Sequence, residues 1–187
     1  MKIPKIYPIT PTKNSEEELL NSIDFLKKNN LNFFQYRRKS LKESLVNSEL
    51  DLLKQICTNK EISLIVNSWH GKELANKFNG IHLTSEDLRK EKTRSVSKEN
   101  ILGASCHTEE DISRAETLQV DYIFLSPINK TISHKKSNEI GWLKFSELCK
   151  KTKLPVYALG GLNIEDLSEA EKNGAYGVAG ISNFWFT

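Results

Sequence analysis

Little in this sequence ties it to an oxidising compartment, a membrane or a nucleic acid. Its 187 residues hold only three cysteines, Cys57, Cys106 and Cys149. An odd number at wide spacing gives neither a disulfide framework nor a metal clip, so a reduced cytoplasm is the default expectation. No apolar run approaches the roughly 20 residues that span a bilayer. The strand-like opening Lys5-Ile6-Tyr7-Pro8-Ile9-Thr10 lacks the apolar core and cleavage site of a signal peptide. A dominant charge is missing too: 27 basic residues are interleaved with 24 acidic ones, for a net +3. Most lysines are therefore read as solvated helix faces, and no nucleic-acid partner is expected. No linker rich in proline, glycine or serine divides the chain, and its strand spacings are too uneven for a repeat. A single domain over 1–187 follows, large enough to bury about 70% of its unfolded surface.

What is present is an alternation of strands and helices. Strand-like segments fall at 5–10, 33–39, 63–67, 80–84, 101–105, 122–127, 155–159 and 176–179. Between them run helical patterns. Ser15 and Glu18 form a capping box ahead of Leu19, Ile23 and Leu26; Val46, Leu50, Leu53 and Cys57 mark one face of a long second helix. Leu74 and Phe78 suit a brief third helix, residues 85–100 a polar connection with at most a helical turn or two, and Thr108 caps a helix carrying Ile112, Ala115 and Leu118. Trp142, Phe145 and Leu148 line another, and Asn163 starts one with Leu167 and Ala170. Eight strands separated mostly by helices predict a single compact (β/α)8 TIM barrel, an α/β fold, with the final helix short or absent. A barrel typically needs about 250 residues, so an open doubly wound sheet is the structural alternative.

The chemistry collects at strand ends. In Phe33-Phe34-Gln35-Tyr36-Arg37-Arg38-Lys39, alternation sends Gln35, Arg37 and Lys39 to one face and Phe34, Tyr36 and Arg38 to the other. Two cations and an amide on one face call for an anion opposite, because an unpaired buried charge costs several kcal/mol. In a barrel the loops after strands seven and eight commonly hold phosphate. Here those loops are Gly160-Gly161-Leu162-Asn163 and Gly180-Ile181-Ser182-Asn183. The loop after strand six, with Ser126, Asn129, Lys130, Thr131, Ser133 and His134, suits a lid over a charged ligand. Asn67, His82, Asp87, Ser105 and His107 also lie at or just past strand ends. His82 reads as a hydrogen-bonded barrel histidine, and Asp87 as the one acid placed to meet the pocket near strand four.

These residues carry a resemblance. Gln35-Tyr36-Arg37-Arg38-Lys39, Gly80-Ile81-His82-Leu83 with Asp87, Gly103-Ala104-Ser105-Cys106-His107, Ser126-Pro127 with Thr131 and Ser133, Gly160-Gly161 and Gly180-Ile181-Ser182 resemble, in order, the motifs of the thiamine-phosphate synthase and TenI family. Finer features, including His82-Leu83-Thr84-Ser85, Thr131-Ile132-Ser133-His134, Gly141-Trp142 and Phe184-Trp185, are similar to the synthase-like domain that some bacteria fuse behind a Nudix hydrolase. The resemblance implies a barrel transferase that joins a hydroxymethylpyrimidine pyrophosphate to a thiazole phosphate, releasing pyrophosphate with Mg²⁺. By position, Gln35, Arg37, Lys39 and Asn67 would bind the pyrimidine pyrophosphate, Asp87 would hold the metal and Ser105 would touch the pyrimidine. Thr131, Ser133 and the backbone near Gly161, Ile181 and Ser182 would hold phosphate groups, with His134 in the same loop. Arg37, Lys39, Ser105 and His107 form the catalytic set. The implied partners are small phosphorylated molecules, and a homo-oligomer is expected because family members often self-associate.

Three positions depart from the family pattern. Asn67 is followed by Ser68 where a second metal-binding aspartate is usual, His134 stands in place of a lysine, and Ser85 in place of a glutamine. Two other readings therefore stand beside the synthase: a TenI-like thiazole tautomerase that moves protons through His107, and a non-catalytic module that binds a thiamine-related phosphate.

Overall fold

The computed structural model describes residues 3–12, 15–130 and 139–185. Its strands are β1 (Ile6–Pro8), β2 (Phe33–Tyr36), β3 (Ser63–Asn67), β4 (Gly80–Leu83), β5 (Ile101–Cys106), β6 (Tyr122–Leu125), β7 (Val156–Leu159) and β8 (Gly177–Gly180). The helices among the described residues are α1 (Glu16–Lys28), α2 (Glu43–Lys60), α3 (Ser85–Lys90), α4 (Glu109–Thr117), α5 (Gly141–Cys149) and α6 (Leu167–Lys172). The eight strands form one parallel sheet in the order β1-β8-β7-β6-β5-β4-β3-β2. A parallel bridge from Ile9 to Gln35 links β1 to β2, and the Thr10 N–H donates to the Gln35 carbonyl at 2.9 Å. Every strand thus neighbours its successor in sequence and the ring is nearly closed. That is a (β/α)8 barrel; a doubly wound sheet would reverse its strand order part-way across.

Two apolar layers hold it. Inside the ring Tyr7, Phe33, Ile65, Tyr122, Phe124 and Tyr157 pack together, with Tyr7 edge-on to Phe33 at 4.8 Å between centroids. Outside, Phe34, Tyr36, Leu64 and Val66 meet Leu19, Leu26, Leu50 and Leu53 of the helices. The alternation of β2 divides the two: Phe33 and Gln35 face in, Phe34 and Tyr36 face out. α1 begins as its sequence predicts, with Ser15 Oγ accepting from Glu18 N–H and Glu18 Oε2 accepting from Ser15 N–H at 2.6 Å.

Two elements differ from expectation, and the short end after β8 meets it. β2 pairs only as far as Tyr36, so residues 37–39 continue past the ladder, with Arg37 and Lys39 at the mouth and Arg38 turned outward. The third helix is a pair of 3₁₀ turns, Ser68–His70 and Lys72–Asn76. Only 12 residues separate Asn67 from Gly80, too few for an α-helix and two loops, and the Asn67 side chain accepts from Trp69 N–H at 3.1 Å to start the tighter turn. After β8, a 3₁₀ turn over Ser182–Phe184 stands in place of a helix. Phe184 and Trp185, which the sequence leaves between covering the barrel and meeting a partner subunit, are buried on the chain's own barrel. The Trp185 indole N–H donates to the Ile9 carbonyl at 2.6 Å, and its ring stands edge-on to Phe34. They cover the β1–β2 joint, where the ladder is thinnest.

Candidate functional site

A cavity of about 420 Å³ opens at the carboxyl ends of the strands. Gln35, Arg37, Lys39, Asn67, Ser105, His107, Gly161, Ile181 and Ser182 all line it. Thr131, Ser133 and His134 lie outside the described residues. Asp87 does not line the cavity.

One wall is basic. Arg37 reaches it from the end of β2, its backbone N–H held by Thr10 Oγ1 at 2.7 Å. Lys39 follows, with its ammonium 4.0 Å from the centroid of the Trp69 ring. Burial lowers the pKa of Arg37, and burial together with Arg37 lowers that of Lys39. His70, behind them, packs on the Tyr36 ring and accepts the Arg38 N–H at Nε2, 3.0 Å away. Burial, then Arg37 and Lys39, bring its pKa down to about 4. Among the described residues no aspartate or glutamate lines the cavity to offset this charge.

The opposite wall is backbone. Gly160 and Gly161 have φ of +114° and +66°, and a Cβ on Gly160 would come within 2.8 Å of Pro127 Cα. The turn therefore needs glycine, and its peptide edges, with those of Ile181 and Ser182, face the cavity. Ile9, Phe124, Leu159 and Ala179 supply apolar surface between the walls, which suits a ligand with an unsaturated ring between charged ends.

The floor is polar. Ser105 Oγ lies 2.9 Å from His82 Nε2, and His82 Nδ1 lies 3.0 Å from the Tyr122 hydroxyl. Asn67 Nδ2 donates to Gln35 Oε1 at 2.8 Å. On the rim, His107 Nδ1 is 2.7 Å from the Ser126 carbonyl. A carbonyl only accepts, so Nδ1 carries a proton, and in the neutral ring the lone pair is on Nε2. The His107 N–H is anchored in turn on Asp111 Oδ2 at 3.0 Å, and Asp111 is clamped by Arg89 at 2.8 and 3.0 Å.

The residues present do not fit a Mg²⁺ site held by the protein. Asp87 is the one candidate carboxylate, and its Oδ2 already accepts from Ser68 Oγ at 2.5 Å and Thr84 Oγ1 at 2.8 Å. Its backbone N–H is capped by the same Thr84 hydroxyl, so Asp87 is drawn into the first turn of α3. Where a second carboxylate would complete a metal pair, Ser68 spends its hydroxyl proton on Asp87. Among the described residues no group of three histidines, cysteines or acids comes together as a metal site.

Sequence reasoning missed Trp69, His70 and Tyr122. Trp69 and His70 follow β3 directly, a position that puts them at the cavity's end of the ring. Tyr122 was signalled by Gly103, its partner in the β5–β6 register, because a glycine inside a buried strand marks a close approach.

Similarity to known proteins agrees with this geometry. Residues 6–184 match the family model described as thiamine monophosphate synthase, TMP-TENI. A protein of Aquifex aeolicus provisionally named thiamine-phosphate synthase 2 is 34% identical, over 98% of this chain and 99% of the relative. The thiamine-phosphate synthase of Methanosarcina barkeri is 32% identical, over 94% of this chain and 80% of its own length. Among solved structures, a thiamine phosphate pyrophosphorylase from Pyrococcus furiosus superposes with a TM-score of 0.73 at 22% identity, over 95% of this chain and 85% of that one, a likeness of fold.

Proposed function

The chain belongs to the thiamine monophosphate synthase family, and we propose that it is a transferase of thiamine biosynthesis, working as the single domain 1–187. It joins a hydroxymethylpyrimidine diphosphate to a thiazole phosphate. The carbon–oxygen bond to the diphosphate breaks, its electron pair leaves with pyrophosphate, and the thiazole nitrogen takes the carbon. The observation that carries this reading is the Arg37–Lys39 wall facing the Gly161–Ser182 backbone wall across one cavity whose described lining holds no acid.

Negative charge grows on the departing pyrophosphate, and Arg37 and Lys39 stand where it would develop. Gln35 and Asn67, joined by their side chains, orient the pyrimidine end, and Ser105 meets its ring. The backbone at Gly161, Ile181 and Ser182 receives the thiazole phosphate, a role in which the family resemblance also casts Thr131, Ser133 and His134, which lie outside the described residues. Mg²⁺, which the family resemblance implies with Asp87 as its ligand, has no fitting donor set here, so no step passes through it. Instead, the serine at position 68 leaves the diphosphate to the two cations. The substrates are small phosphorylated molecules. Among the described residues no helix is long and apolar enough to cross a membrane.

The test is formation of thiamine phosphate by purified protein from both substrates, beside a synthase of known activity; no product under those conditions would sink the reading. Calorimetry with thiamine phosphate then identifies a module that binds without turnover. The role of Ser68 has its own probe. Ser68→Asp places a carboxylate against Asp87, so Mg²⁺ should raise the melting temperature of that variant and tighten its binding of pyrophosphate, with far smaller effects on wild type. Equal Mg²⁺ effects in both proteins would show that Ser68 does not control the metal.

His107 supports a second reading, thiazole tautomerisation. Its Nδ1–H is committed to Ser126, which leaves Nε2 as a base on the cavity rim, the form needed to take a proton from a bound ring. Proton exchange on a thiazole carboxylate phosphate that survives His107→Ala would rule it out.

A further inference from the structure

Beneath the cavity, side chains from β1 to β6 form a line of polar groups where barrel interiors ordinarily hold aliphatic ones. Its polarity can be read from one end. The Trp69 backbone N–H, which can only donate, is held by Asn67 Oδ1 at 3.1 Å. The amide of Asn67 is thereby oriented, and its Nδ2 donates to Gln35 Oε1 at 2.8 Å. Gln35 must then present Nε2, a donor, on its other side. That nitrogen is buried and makes no hydrogen bond among the described residues.

The Tyr7 hydroxyl is fully buried and, among the described residues, hydrogen-bonds to one partner, the Tyr122 hydroxyl 2.6 Å away; its proton goes there, since a buried O–H left unpaired is costly. Tyr122 must then donate to His82 Nδ1, at 3.0 Å. His82 is buried and neutral, its pKa brought down to about 3 by burial and by Arg37, so it carries a single ring proton. With Nδ1 accepting, that proton is on Nε2, and it goes to Ser105 Oγ at 2.9 Å. Gly103 exists to allow this path: a Cβ there would sit 2.1 Å from Tyr122 Cζ and 2.3 Å from its hydroxyl.

We infer that His82 is a positioning residue which, held as its Nε2–H tautomer by Tyr122, makes Ser105 a hydrogen-bond donor to whatever occupies the cavity. Ser105 then selects a ligand atom with a lone pair, such as an unprotonated ring nitrogen, over an N–H or O–H. The polarity follows from the hydrogen-bond line alone; the consequence for pyrimidine recognition rests on the synthase reading.

The decisive measurement is the long-range ¹H–¹⁵N correlation pattern of His82 in the unliganded wild-type protein. An Nε2–H pattern that does not change between about pH 5 and pH 8 is expected, and an Nδ1–H pattern overturns the inference. Tyr122→Phe supplies the second arm, since it keeps the ring and removes only the proton given to Nδ1. It should release His82 into a mixture of tautomers and weaken thiamine phosphate binding about tenfold, the scale of one lost hydrogen bond. His82 still fully Nε2–H in a folded Tyr122→Phe protein would also overturn the inference. Should thiamine phosphate fail to bind wild type, the synthase reading falls, while the tautomer pattern still decides the role of His82.

Discussion

Arg37 and Arg38 are neighbours in sequence and belong to different regions of the molecule. Arg37 turns inward to the cavity, where no carboxylate meets it. Arg38 turns outward into the layer between barrel and helices, where Glu49 of α2 stands 3.1 Å from its guanidinium and both side chains are about 5% exposed. Tyr36 completes that outer cluster, donating its hydroxyl to Glu49 Oε2 at 2.6 Å. Two arginines with the same intrinsic chemistry thus differ in where their counter-charge comes from. The outer one is neutralised by the fold and holds α2 to β2; the inner one waits for a ligand.

The largest effect that can break this comparison is on stability. Arg38→Met strands Glu49 in an apolar layer, and removing one partner of a buried pair costs about 3–5 kcal/mol. Chemical denaturation should show that loss for Arg38→Met and not for Arg37→Met, and adding Glu49→Leu to Arg38→Met should recover most of it. A similar loss at both arginines would mean that Arg37 is structural after all.

Next in size is the mirror effect on activity. Arg37→Met should lower kcat/KM for the transferase reaction by about 10²-fold or more, the scale of a lost charge-assisted contact to developing negative charge. Its denaturation midpoint should hold or rise, because the substitution relieves an unbalanced charge beside Lys39 and His70. Pyrophosphate binding that is unchanged in Arg37→Met would remove the cavity's anion site from this wall.

How much of this is legible in the sequence follows the same division. Period-two alternation around Gln35 separates the cavity face from the packing face, and the Gly160-Gly161 pair after β7 with Gly180 at the end of β8 marks the opposite wall. Those signals are local, so they survive without coordinates. What escapes is long-range pairing. Glu49 sits within the apolar stripe of α2, three residues after Val46 and one before Leu50, and that is the only hint that Arg38 has a partner there. Asp87 reads as a pocket acid because of its place after β4, but its hydrogen bonds to Ser68 and Thr84 tie it into the first turn of α3, which Thr84 caps. Likewise His82 reads correctly as a bonded barrel histidine, while the line from Trp69 to Ser105 depends on six strands arriving in register.

A smaller effect is carried by protons. His70 and His82 both have folded pKa values below the unfolded 6.5, at about 4 and about 3. The unfolded chain therefore binds more protons between those values, and stability rises with pH in that window. It is fully present above about pH 6.5 and falls as the solution is acidified toward pH 4. The buried His82 alone accounts for up to about 1.4 kcal/mol per pH unit. His70→Gln, which keeps an acceptor for the Arg38 N–H, should flatten the slope between pH 6.5 and 4; an unchanged slope would mean that His70 ionises freely in the folded protein.

The smallest effect sharpens the comparison most, because it concerns Lys39, the more exposed cation of the basic wall. Lys39 is largely exposed, and among the described residues its ammonium meets the face of Trp69, itself 57% exposed. A cation–π contact at an exposed site is worth about 0.5–1 kcal/mol, enough to station the ammonium at the mouth and weak enough to release it to a phosphate. Trp69→Ala should therefore raise KM for the diphosphate substrate about two- to fivefold and leave kcat nearly unchanged. Binding pyrophosphate to wild type should alter Trp69 emission as the ammonium leaves the indole, with no such change in Lys39→Met. If Trp69→Ala lowers kcat and KM is unmoved, the indole acts on the reaction itself, and Lys39 belongs with Arg37 as a group fixed before the ligand arrives.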